Sequence, residues 1–373
     1  MAEPLKNAYG PEIPRRIAAM IASVHPAFPS KAFLREALRG YDALELMPRG
    51  RHLARVLADH LPPDFPEAAA ILVASMAAPD GKAGGAMSSF IFMPHAFFVA
   101  DRGLDHFEAA MAAQRAITQR FTAEFSIRPF LERHPGRTLA RLAEWTRDPS
   151  EHVRRLVSEG TRPRLPWAAR LREFQRDPAP VLALLEALRD DPSLYVRRSV
   201  ANNLNDIGKD HPALLVATCR RWTEGATAER RWVVAHALRS AVKRGDAAAL
   251  EVLGFRGGAR LAVEDSAVSP RRIAIGGKVR VAFDLVNRSA RQEAAVVDFR
   301  IHYVKANGRA SPKVFKLRAV ALAPRSRIRL GKSVSLADMT TRRHHPGRHL
   351  VEALVNGRPV ELGAFELSAR GLP

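Results

Sequence analysis

Asp148-Pro149-Ser150-Glu151-His152-Val153-Arg154-Arg155 is a phrase that the chain repeats as Asp191-Pro192-Ser193-Leu194-Tyr195-Val196-Arg197-Arg198, 43 residues further on, from 148 to 191. A weaker third copy runs from Arg230 to Leu238. A repeat of this period is typical of stacked helix pairs of the HEAT type, in which each pair buries its apolar face against the next. The sequence therefore predicts an α-solenoid with an extended concave surface.

The phrase also carries signals for the start of a helix. Asp148 and Asp191 can each accept a backbone N–H as an N-cap, and the proline that follows suits a first helical turn. Glu151 lies three residues after Asp148 and can complete a capping box. The apolar positions that follow are predicted to face a neighbouring helix: Val153, Leu156, Val157, Val196, Val200 and Leu204.

Helical spacing of apolar residues continues to about residue 253 and is then replaced by alternation of apolar and polar residues. The alternation is clear in four stretches, 279–285, 297–303, 314–317 and 350–355. About seven short strands in about 110 residues are typical of an immunoglobulin-like β-sandwich. We therefore expect a HEAT-like-repeat domain over residues 1–255, followed by an immunoglobulin-like β-sandwich over residues 259–373.

The chain is strongly basic. Its 373 residues hold 59 Lys or Arg and 38 Asp or Glu, a formal net charge of +21, and residues 259–373 alone contribute 22 and 9, or +13. A surface of this charge attracts nucleic acid or an anionic membrane, although a solvated basic face would have the same composition. No apolar run reaches the roughly 18 residues that a membrane-spanning helix needs, and the first residues lack the pattern of a signal peptide.

Cysteine usage bears on the compartment. Cys219 is the only cysteine, so no intramolecular disulfide can form. A reducing interior is the simplest setting for such a chain. We therefore expect a cytoplasmic, nucleoid-associated monomer.

Three acidic residues occupy positions where a solenoid does not require them. Glu124 lies among apolar residues on a predicted helix, and Asp206 ends the second copy of the repeat. Glu159 occupies the place that Asn202 and then His236 take in the following copies, and Glu159 and Asn202 are predicted to project toward one groove. A fixed carboxylate there can stabilise an oxocarbenium-like sugar or orient water. The alternative is that the three are helix caps or ion-pair partners of nearby arginines.

Aromatic and histidine residues give weaker signals. Trp167 can stack on a sugar or a base, whereas Trp145, Trp222 and Trp232 have the helical spacing of core residues. A histidine cluster at residues 344–349 has no acidic or cysteine companion, so we predict no metal site. No cofactor motif is present in the sequence.

Residues 121–131, 148–167 and 197–209 resemble the HEAT-like-repeat alkylpurine DNA glycosylases, the AlkD/AlkC family. The N-terminal stretch, including residues 33–38 and 90–97, is similar to the AlkC branch. In that branch an immunoglobulin-like domain can follow the repeats. The strand pattern after residue 258 matches this arrangement.

The resemblance implies a DNA glycosylase that removes cationic alkylated bases, 3-methyladenine and also 3-methylcytosine, from duplex DNA without base flipping and without a cofactor. It implies catalytic roles for Glu124, Glu159 and Asp206. Trp167 would pack against the lesion nucleotide. DNA contacts would come from a set of side chains on the repeats, with Lys and Arg of the β-domain completing them: Asn202, Arg154, Arg155, Arg197 and Arg198.

One departure separates this chain from the AlkD branch, which has a tryptophan in the helix that here reads Ala201-Asn202-Asn203-Leu204. That sugar-stacking contact is therefore not transferred to Asn202. Two other classes of function stay open, namely a non-catalytic HEAT-repeat scaffold for nucleic acid or an acidic protein, and a repeat-based lyase or adaptor. The glycosylase hypothesis requires the three carboxylates to converge in one groove, whereas the scaffold requires only the arginines.

Overall fold

The computed structural model describes residues 5–77, 88–255, 260–339 and 342–369, and the chain forms two compact units. The first comprises the chain up to His211 together with Ala228–His236, and the second comprises Pro212–Thr227 and the chain from Ala237 onward. The last helix ends at Val252 and the first strand begins at Leu261, so helices give way to strands in the predicted region. The segments 212–227 and 237–255 nevertheless belong to the same compact unit as the strands.

The described part of the chain up to residue 255 is helical. In chain order the α-helices are α1 (Glu12–Val24), α2 (Ser30–Ala37), α3 (Leu46–His60), α4 (Phe65–Ser75), α5 (Met93–Arg102), α6 (Phe107–Thr118), α7 (Ile127–Arg133), α8 (Pro135–Trp145), α9 (Glu151–Gly160), α10 (Arg172–Arg176), α11 (Ala179–Leu188), α12 (Leu194–Ile207), α13 (Pro212–Thr223), α14 (Ala228–Arg244) and α15 (Ala247–Val252). No helix of the described residues is long and apolar enough to span a bilayer.

The repeated phrase starts α9 and α12 with a different local structure from the predicted one. The N-cap residues are Ser150 and Ser193, two positions after the predicted aspartates. Asp148 and Asp191 instead accept the backbone N–H of these serines, at 2.8 and 2.9 Å. The N-cap prediction was wrong because an aspartate bonds readily to the backbone two residues on, which turns the chain just before the helix. Nor does Glu151 form a capping box, because its carboxylate accepts a hydrogen bond from Ser193 Oγ of the next repeat.

The apolar faces of α9 and α12 pack against each other as predicted. All six predicted positions, from Val153 to Leu204, are completely buried. Burying a valine or leucine side chain fully contributes about 1.5–3 kcal/mol, so this seam is a main source of cohesion between repeats. Trp145 and Trp222 are core residues as expected. The prediction was wrong for Trp232, which is 36% exposed because it lies one residue before the buried pair Val233 and Val234 and therefore points away from them.

The C-terminal region is an immunoglobulin-like β-sandwich of eight described strands, which are β1 (Leu261–Ser269), β2 (Arg272–Ala274), β3 (Lys278–Asn287), β4 (Glu293–Val304), β5 (Ala310–Leu322), β6 (Arg327–Ser335), β7 (Gly347–Val355) and β8 (Arg358–Ser368). One sheet has the order β1-β3-β6 and the other β2-β8-β7-β4-β5. All neighbours are antiparallel except β2 and β8, which pair in parallel. The predicted fold class is confirmed.

Alternation along β3 and β4 builds the core of the sandwich. The inward residues of β3 are completely buried, from Val279 to Leu285, and those of β4 are at most 3% exposed, from Val297 to Tyr303. They belong to one apolar cluster together with residues of β6, β7 and β8. A side-chain period of two places every second residue on the inner face, which is why this pattern could be recognised from the sequence.

Candidate active-site cleft

A cleft of about 380 Å³ opens in the first unit beside the ends of α9 and α12. Most of its lining is apolar or aromatic, and three charged side chains, Glu124, Arg155 and Glu159, meet there. The other lining residues are Met47, Ser89, Phe90, Met93, Phe121, Thr122, Phe125, Leu165, Pro166, Trp167 and Tyr195. The cleft therefore combines flat apolar walls with a small number of charged groups.

Glu124 enters the cleft from the turn that precedes α7. The prediction that it lies on a helix was wrong, because α7 begins only at Ile127. Its Oε2 atom accepts a hydrogen bond from Thr122 Oγ1 at 2.9 Å and pairs with Arg155 Nη1 at 2.6 Å. Both contacts use the same oxygen, so neither Thr122 nor Arg155 engages the second oxygen of this carboxylate.

Glu159 lies in the last turn of α9 and is held at both carboxylate oxygens. Oε1 pairs with Arg162 Nη1 at 2.6 Å and lies 3.6 Å from Arg155 Nη2. Oε2 accepts a hydrogen bond from Ser199 Oγ of α12 at 2.6 Å. The side chain is only 8% exposed, so its orientation is set by these partners from two repeats.

Asp206 lies behind the cleft, and it is not among the lining residues. Its carboxylate accepts a hydrogen bond from Arg162 Nε at 2.8 Å and pairs with Lys209 Nζ at 2.7 Å. Arg162 therefore links Asp206 to Glu159, and Arg155 links Glu159 to Glu124. We call these six side chains the carboxylate network; its members are Glu124, Arg155, Glu159, Arg162, Asp206 and Lys209.

The two arginines of the network are held in their charged form. Burial disfavours the charge of Arg155, but the negative charges of Glu124 and Glu159 outweigh this and raise the pKa of its guanidinium. For Arg162, burial acts in the same direction and is outweighed by Glu159 and Asp206, so its pKa is also raised. A buried ion pair that lost one partner would leave an uncompensated charge, so the network is expected to hold one arrangement.

Trp167 and Tyr195 supply exposed aromatic surface at the cleft. Trp167 is 64% exposed and has a φ of 64°, a left-handed conformation that a bulky residue adopts only when its surroundings impose it. Tyr195 is 39% exposed, and the Arg155 guanidinium carbon lies 5.2 Å from the centre of its ring. Phe90 and Phe121 meet edge to face at 5.2 Å within the lining. Such faces can stack on a sugar or base.

A buried arginine fixes the loop that carries Trp167. Arg128 of α7 is 5% exposed and donates to the carbonyl oxygens of Gly160 at 3.1 Å, of Arg162 at 2.9 Å and of Ala169. Burial lowers the pKa of Arg128 to about 10, which still leaves it charged at neutral pH. A planar guanidinium can satisfy several carbonyl groups at once, which an ammonium group cannot.

Two comparisons with known proteins cover nearly the whole chain. It is 36% identical over 354 residues to the protein of Bacillus subtilis (strain 168) described as uncharacterized protein YhaZ, which covers 95% of this chain and 96% of that protein. It is 38% identical to Pseudomonas fluorescens alkylpurine DNA glycosylase AlkC, in a structure bound to DNA containing an abasic site analog, with a TM-score of 0.92 and coverage of 99% and 100%. The chain belongs to the AlkC-type branch of the AlkD/AlkC family.

A family model supports the assignment of the second domain. Residues 262–369 match the model described as uncharacterised protein YhaZ, C-terminal Ig-like domain. This agrees with the β-sandwich seen from Leu261 to Ser368. The arrangement predicted for an AlkC-type chain, helical repeats followed by an immunoglobulin-like domain, is therefore confirmed.

In this AlkC-type chain the arginines of the repeated phrase have different environments. Arg154 pairs with Asp191 through Nε at 2.6 Å and donates to the carbonyl oxygens of Asp148 and Pro149. Arg197 donates to the carbonyl oxygens of Asp191 and Pro192. Both side chains thus brace the turns that precede α9 and α12. Arg155 belongs to the cleft, and Arg198 is exposed.

Asn202 is placed by its contact with the following helix. Its Oδ1 lies 3.2 Å from His236 Nε2 of α14, and the side chain is half-buried. It is not among the residues that line the cleft. Of the predicted site residues, the structure thus brings Glu124, Glu159, Arg155 and Trp167 together at the cleft.

Sequence reasoning missed the residues that hold Glu159. Arg162 follows Glu159 by three residues, a spacing at which side chains meet on a helix, so its pairing could have been found. Ser199 stands where the preceding repeat has the buried Leu156, a polar residue on a buried face. Nothing in the sequence signals that Arg128 reaches the loop carrying Trp167, since its acceptors are backbone carbonyls more than 30 residues away.

Two histidines of the β-domain, His344 and His349, are part of its interior. His349 is completely buried and stacks on Phe365 with ring centres 5.0 Å apart, and His344 is also buried. Burial lowers the pKa of both imidazoles. Among the described residues, no group of three or more His, Cys, Asp or Glu is arranged to hold a metal ion.

Proposed function

We propose that this chain is a DNA glycosylase that hydrolyses the N-glycosidic bond of cationic alkylated bases in duplex DNA, acting on 3-methyladenine and also on 3-methylcytosine. The observation that carries the proposal is the convergence of Glu124 and Glu159 on one aromatic-lined cleft, with Arg155 bridging them. The likeness to an alkylpurine DNA glycosylase over 99% of the chain supports it.

The chemistry follows from the charge of the substrate. An alkylated base that carries a positive charge leaves as a neutral molecule and takes the bonding electrons with it, so protonation by a general acid is not required. The sugar then becomes oxocarbenium-like, and a water oxygen bonds to C1′ while one of its protons is released. A carboxylate fixed beside C1′ stabilises the positive charge and accepts or orients that proton.

The two carboxylates of the cleft suit different parts of this reaction. Glu124 has one oxygen that is not engaged by Thr122 or Arg155, so it can bind water or the sugar cation directly. Glu159 is hydrogen-bonded at both oxygens, so it acts by its fixed negative charge. Asp206 acts through Arg162 as a positioning residue, because Arg162 donates to both carboxylates.

The aromatic residues favour contact with a base that stays in the duplex. Trp167 is the most exposed of the large apolar side chains in the described residues, and it lines the cleft beside the half-exposed Tyr195. Exposed flat rings reach outward toward a nucleotide, whereas an enclosed pocket would require the base to swing in. We therefore propose excision without base flipping, by a monomer bound to double-stranded DNA.

The test is incubation with duplex DNA treated with a methylating agent, with mass-spectrometric identification of the bases set free. We expect 3-methyladenine and 3-methylcytosine in the supernatant and matching abasic sites in the DNA. Glu159→Gln removes a fixed charge and should lower single-turnover release at least about tenfold, which corresponds to about 1.4 kcal/mol. Asp206→Asn should also lower release, since it loosens Arg162.

Glu173→Gln is the matched control, because Glu173 forms an exposed ion pair with Arg176 on α10 and is not part of the carboxylate network. It should release bases at the wild-type rate. DNA binding without release of any base would instead identify a non-catalytic scaffold. Wild-type rates in both Glu159→Gln and Asp206→Asn would refute the assignment of the network.

A further inference from the structure

Three helices at equivalent places of the repeat carry a pair of side chains four residues apart. The pairs are Arg155 and Glu159 on α9, Arg198 and Asn202 on α12, and Trp232 and His236 on α14. Residues four apart on a helix lie on the same side, so each pair forms one small surface. The first pair belongs to the cleft. The third is aromatic and has no part in the proposed reaction.

Trp232 and His236 form a rigid, exposed aromatic surface. Their rings stack with centres 4.9 Å apart and planes 9° apart, and Trp232 is 36% exposed. His236 Nε2 lies 3.2 Å from Asn202 Oδ1, which fixes the imidazole against the neighbouring helix. An indole held in this way loses little conformational freedom when a ligand binds to it.

A row of side chains runs from the cleft along α12 to α14, and this aromatic pair lies at its end. On α12, Tyr195 lines the cleft and Ser199 donates to Glu159. Asn202 follows Tyr195 by seven residues, which is nearly two helical turns, so it lies on the same face of α12. The contact between Asn202 and His236 then carries the row to α14.

The spacing of the row agrees with that of a nucleic-acid strand. α9 packs on α12, and the contact of Asn202 with His236 links α12 to α14. Two helix spacings of about 8–10 Å each correspond to a span of about 16–20 Å. Successive nucleotides of a duplex strand are about 3.4 Å apart along the axis, so this span corresponds to about five nucleotides. A strand whose lesion occupies the cleft would therefore reach Trp232 about five positions away.

The charges around the pair favour such a strand over an apolar protein surface. Arg231 is exposed next to Trp232, and Arg198 is exposed at the equivalent place on α12. An aromatic face among cations is the combination that binds single or unstacked nucleotides, because every base has a face for stacking and every phosphate is an anion. Stacking of this kind is independent of base identity.

We propose that Trp232 and His236 form a second nucleotide-binding platform, on which a base or sugar of the DNA stacks about five nucleotides from the lesion. The proposal rests on the proposed function only in that DNA is the occupant. The platform would add affinity for the DNA on one side of the lesion, and it would take no part in exposing the lesion or in the chemistry.

The experiment compares two duplexes that carry the same abasic-site analogue. One extends ten base pairs to each side of the analogue and the other three, so only the first reaches the platform. We expect Trp232→Ala to bind the long duplex at least about fivefold more weakly than wild type and the short duplex equally well. Base release at saturating protein should be unchanged, since the cleft is intact.

Three further variants separate stacking from other effects. Trp232→Phe keeps an aromatic face and should stay close to wild type, whereas Trp232→Leu keeps apolar bulk alone and should lose as much affinity as Trp232→Ala. Val24→Ala alters a side chain of similar exposure on α1 and should have no effect. Thermal unfolding midpoints equal to wild type will show that each variant is folded.

Unchanged affinity of Trp232→Ala and Trp232→Leu for the long duplex would overturn the platform, as would an equal loss on both duplexes. The outcome is independent of catalysis. If the wild-type protein bound as expected but released no base, the proposed function would fail and the platform would stand. If bases were released but substitution of Trp232 had no effect on DNA binding, the proposed function would stand and the platform would fail.

Discussion

Both carboxylate oxygens of Glu159 are held, one by Arg162 three residues further on and the other by Ser199 of the next repeat. The residue could be singled out from the sequence because it differs from Asn202 and His236 at one repeat position. The orientation of its side chain could not be predicted, because it depends on Ser199, 40 residues further on. Only the stacking of α9 on α12 brings these two side chains together.

Asp206, unlike Glu159, does not line the cleft. Its acidic character made it a candidate, but the structure places Arg162 between it and Glu159. Asp206 is almost completely buried and paired with two cations, so only these partners connect its charge to the cleft. The sequence identifies Asp206 as a charged residue, but its position relative to the cleft depends on how α12 packs on α9.

A buried histidine gives a prediction for stability at low pH. His95 of α5 is completely buried, with Nε2 3.2 Å from Ser75 Oγ and no partner for Nδ1 among the described residues. Burial lowers its pKa from 6.5 to about 4. Between these values the unfolded chain binds a proton at this residue and the folded chain does not, so stability falls as the pH falls through this range.

The expected loss between pH 7 and pH 5 from His95 alone is about 2 kcal/mol in the free energy of unfolding. We expect urea denaturation of His95→Gln to show a correspondingly smaller difference between these two pH values. Part of the dependence should remain, because burial also lowers the pKa of His344 and His349 in the second unit. Identical pH dependence in wild type and His95→Gln would contradict the prediction.

At the scale of elements, the same two interactions recur between successive repeats. Arg115 pairs with Asp148 at 2.7 Å, and Arg154 pairs with Asp191 at 2.6 Å. Each aspartate also turns the chain into the next helix by binding the serine N–H. The aspartate of the repeated phrase thus forms both an ion pair with the preceding repeat and a turn before the helix, whereas the sequence predicted only a helix cap.

The loop between α9 and α10 is the element whose geometry decides where Trp167 stands. Arg128 donates to two carbonyls of this loop and to that of Gly160 at the end of α9, and Arg164 pairs with Asp210. The positive φ of Trp167 requires such support, because an unsupported loop would relax to a conformation with negative φ. We infer that Arg128 is a positioning residue for Trp167.

Arg128→Lys keeps the charge but removes the planar fork, so it leaves buried carbonyls without a donor. We expect a loss of stability of about 2 kcal/mol or more and at least a tenfold slower release of bases under single-turnover conditions. The measurements are urea unfolding and base release under single-turnover conditions.

Arg176→Lys is the matched control for this variant, because Arg176 is 75% exposed and pairs with the exposed Glu173. Exposed pairs of this kind contribute little to stability, so no change is expected. If Arg128→Lys were destabilised but released bases at the wild-type rate, Arg128 would be a structural residue alone.

At the scale of the whole molecule, charge sets how the chain meets DNA. The net charge of +21 is distributed so that residues 259–373 hold +13. Part of this charge is used internally, as where Arg300 pairs with Glu352 at 2.5 Å. Several other arginines of the second unit are exposed: Arg271, Arg272, Arg280, Arg291, Arg309, Arg318, Arg325, Arg343, Arg348 and Arg358.

Binding to undamaged duplex should therefore weaken steeply with salt. Neutralising six or more phosphates releases their counterions, and affinity should fall about 10³-fold or more between about 50 and about 200 mM salt. Fluorescence anisotropy measures this directly. Arg198→Ala should reduce the slope of log K against log salt by about one, whereas a slope near zero in the wild type would point to a protein partner in place of DNA.

The sequence by itself determined the two architectures, because both rest on local periodicity. A repeat of 43 residues with buried Val and Leu at helical spacing specifies stacked helices, and alternation specifies a sandwich. It also identified Glu124, Glu159, Arg155 and Trp167, which differ from what the scaffold requires. These features can be recognised without knowing which residues meet.

Only the tertiary structure decided which of those residues face one space and what holds them there. Arg155 joins Glu124 to Glu159 across 31 and 4 residues of sequence, and Arg128 reaches a loop more than 30 residues away. Trp232 is a surface residue because the buried face of α14 is formed by Val233 and Val234. Such contacts arise from the packing of repeats on one another, and this packing is a property of the assembled helices that no local pattern contains.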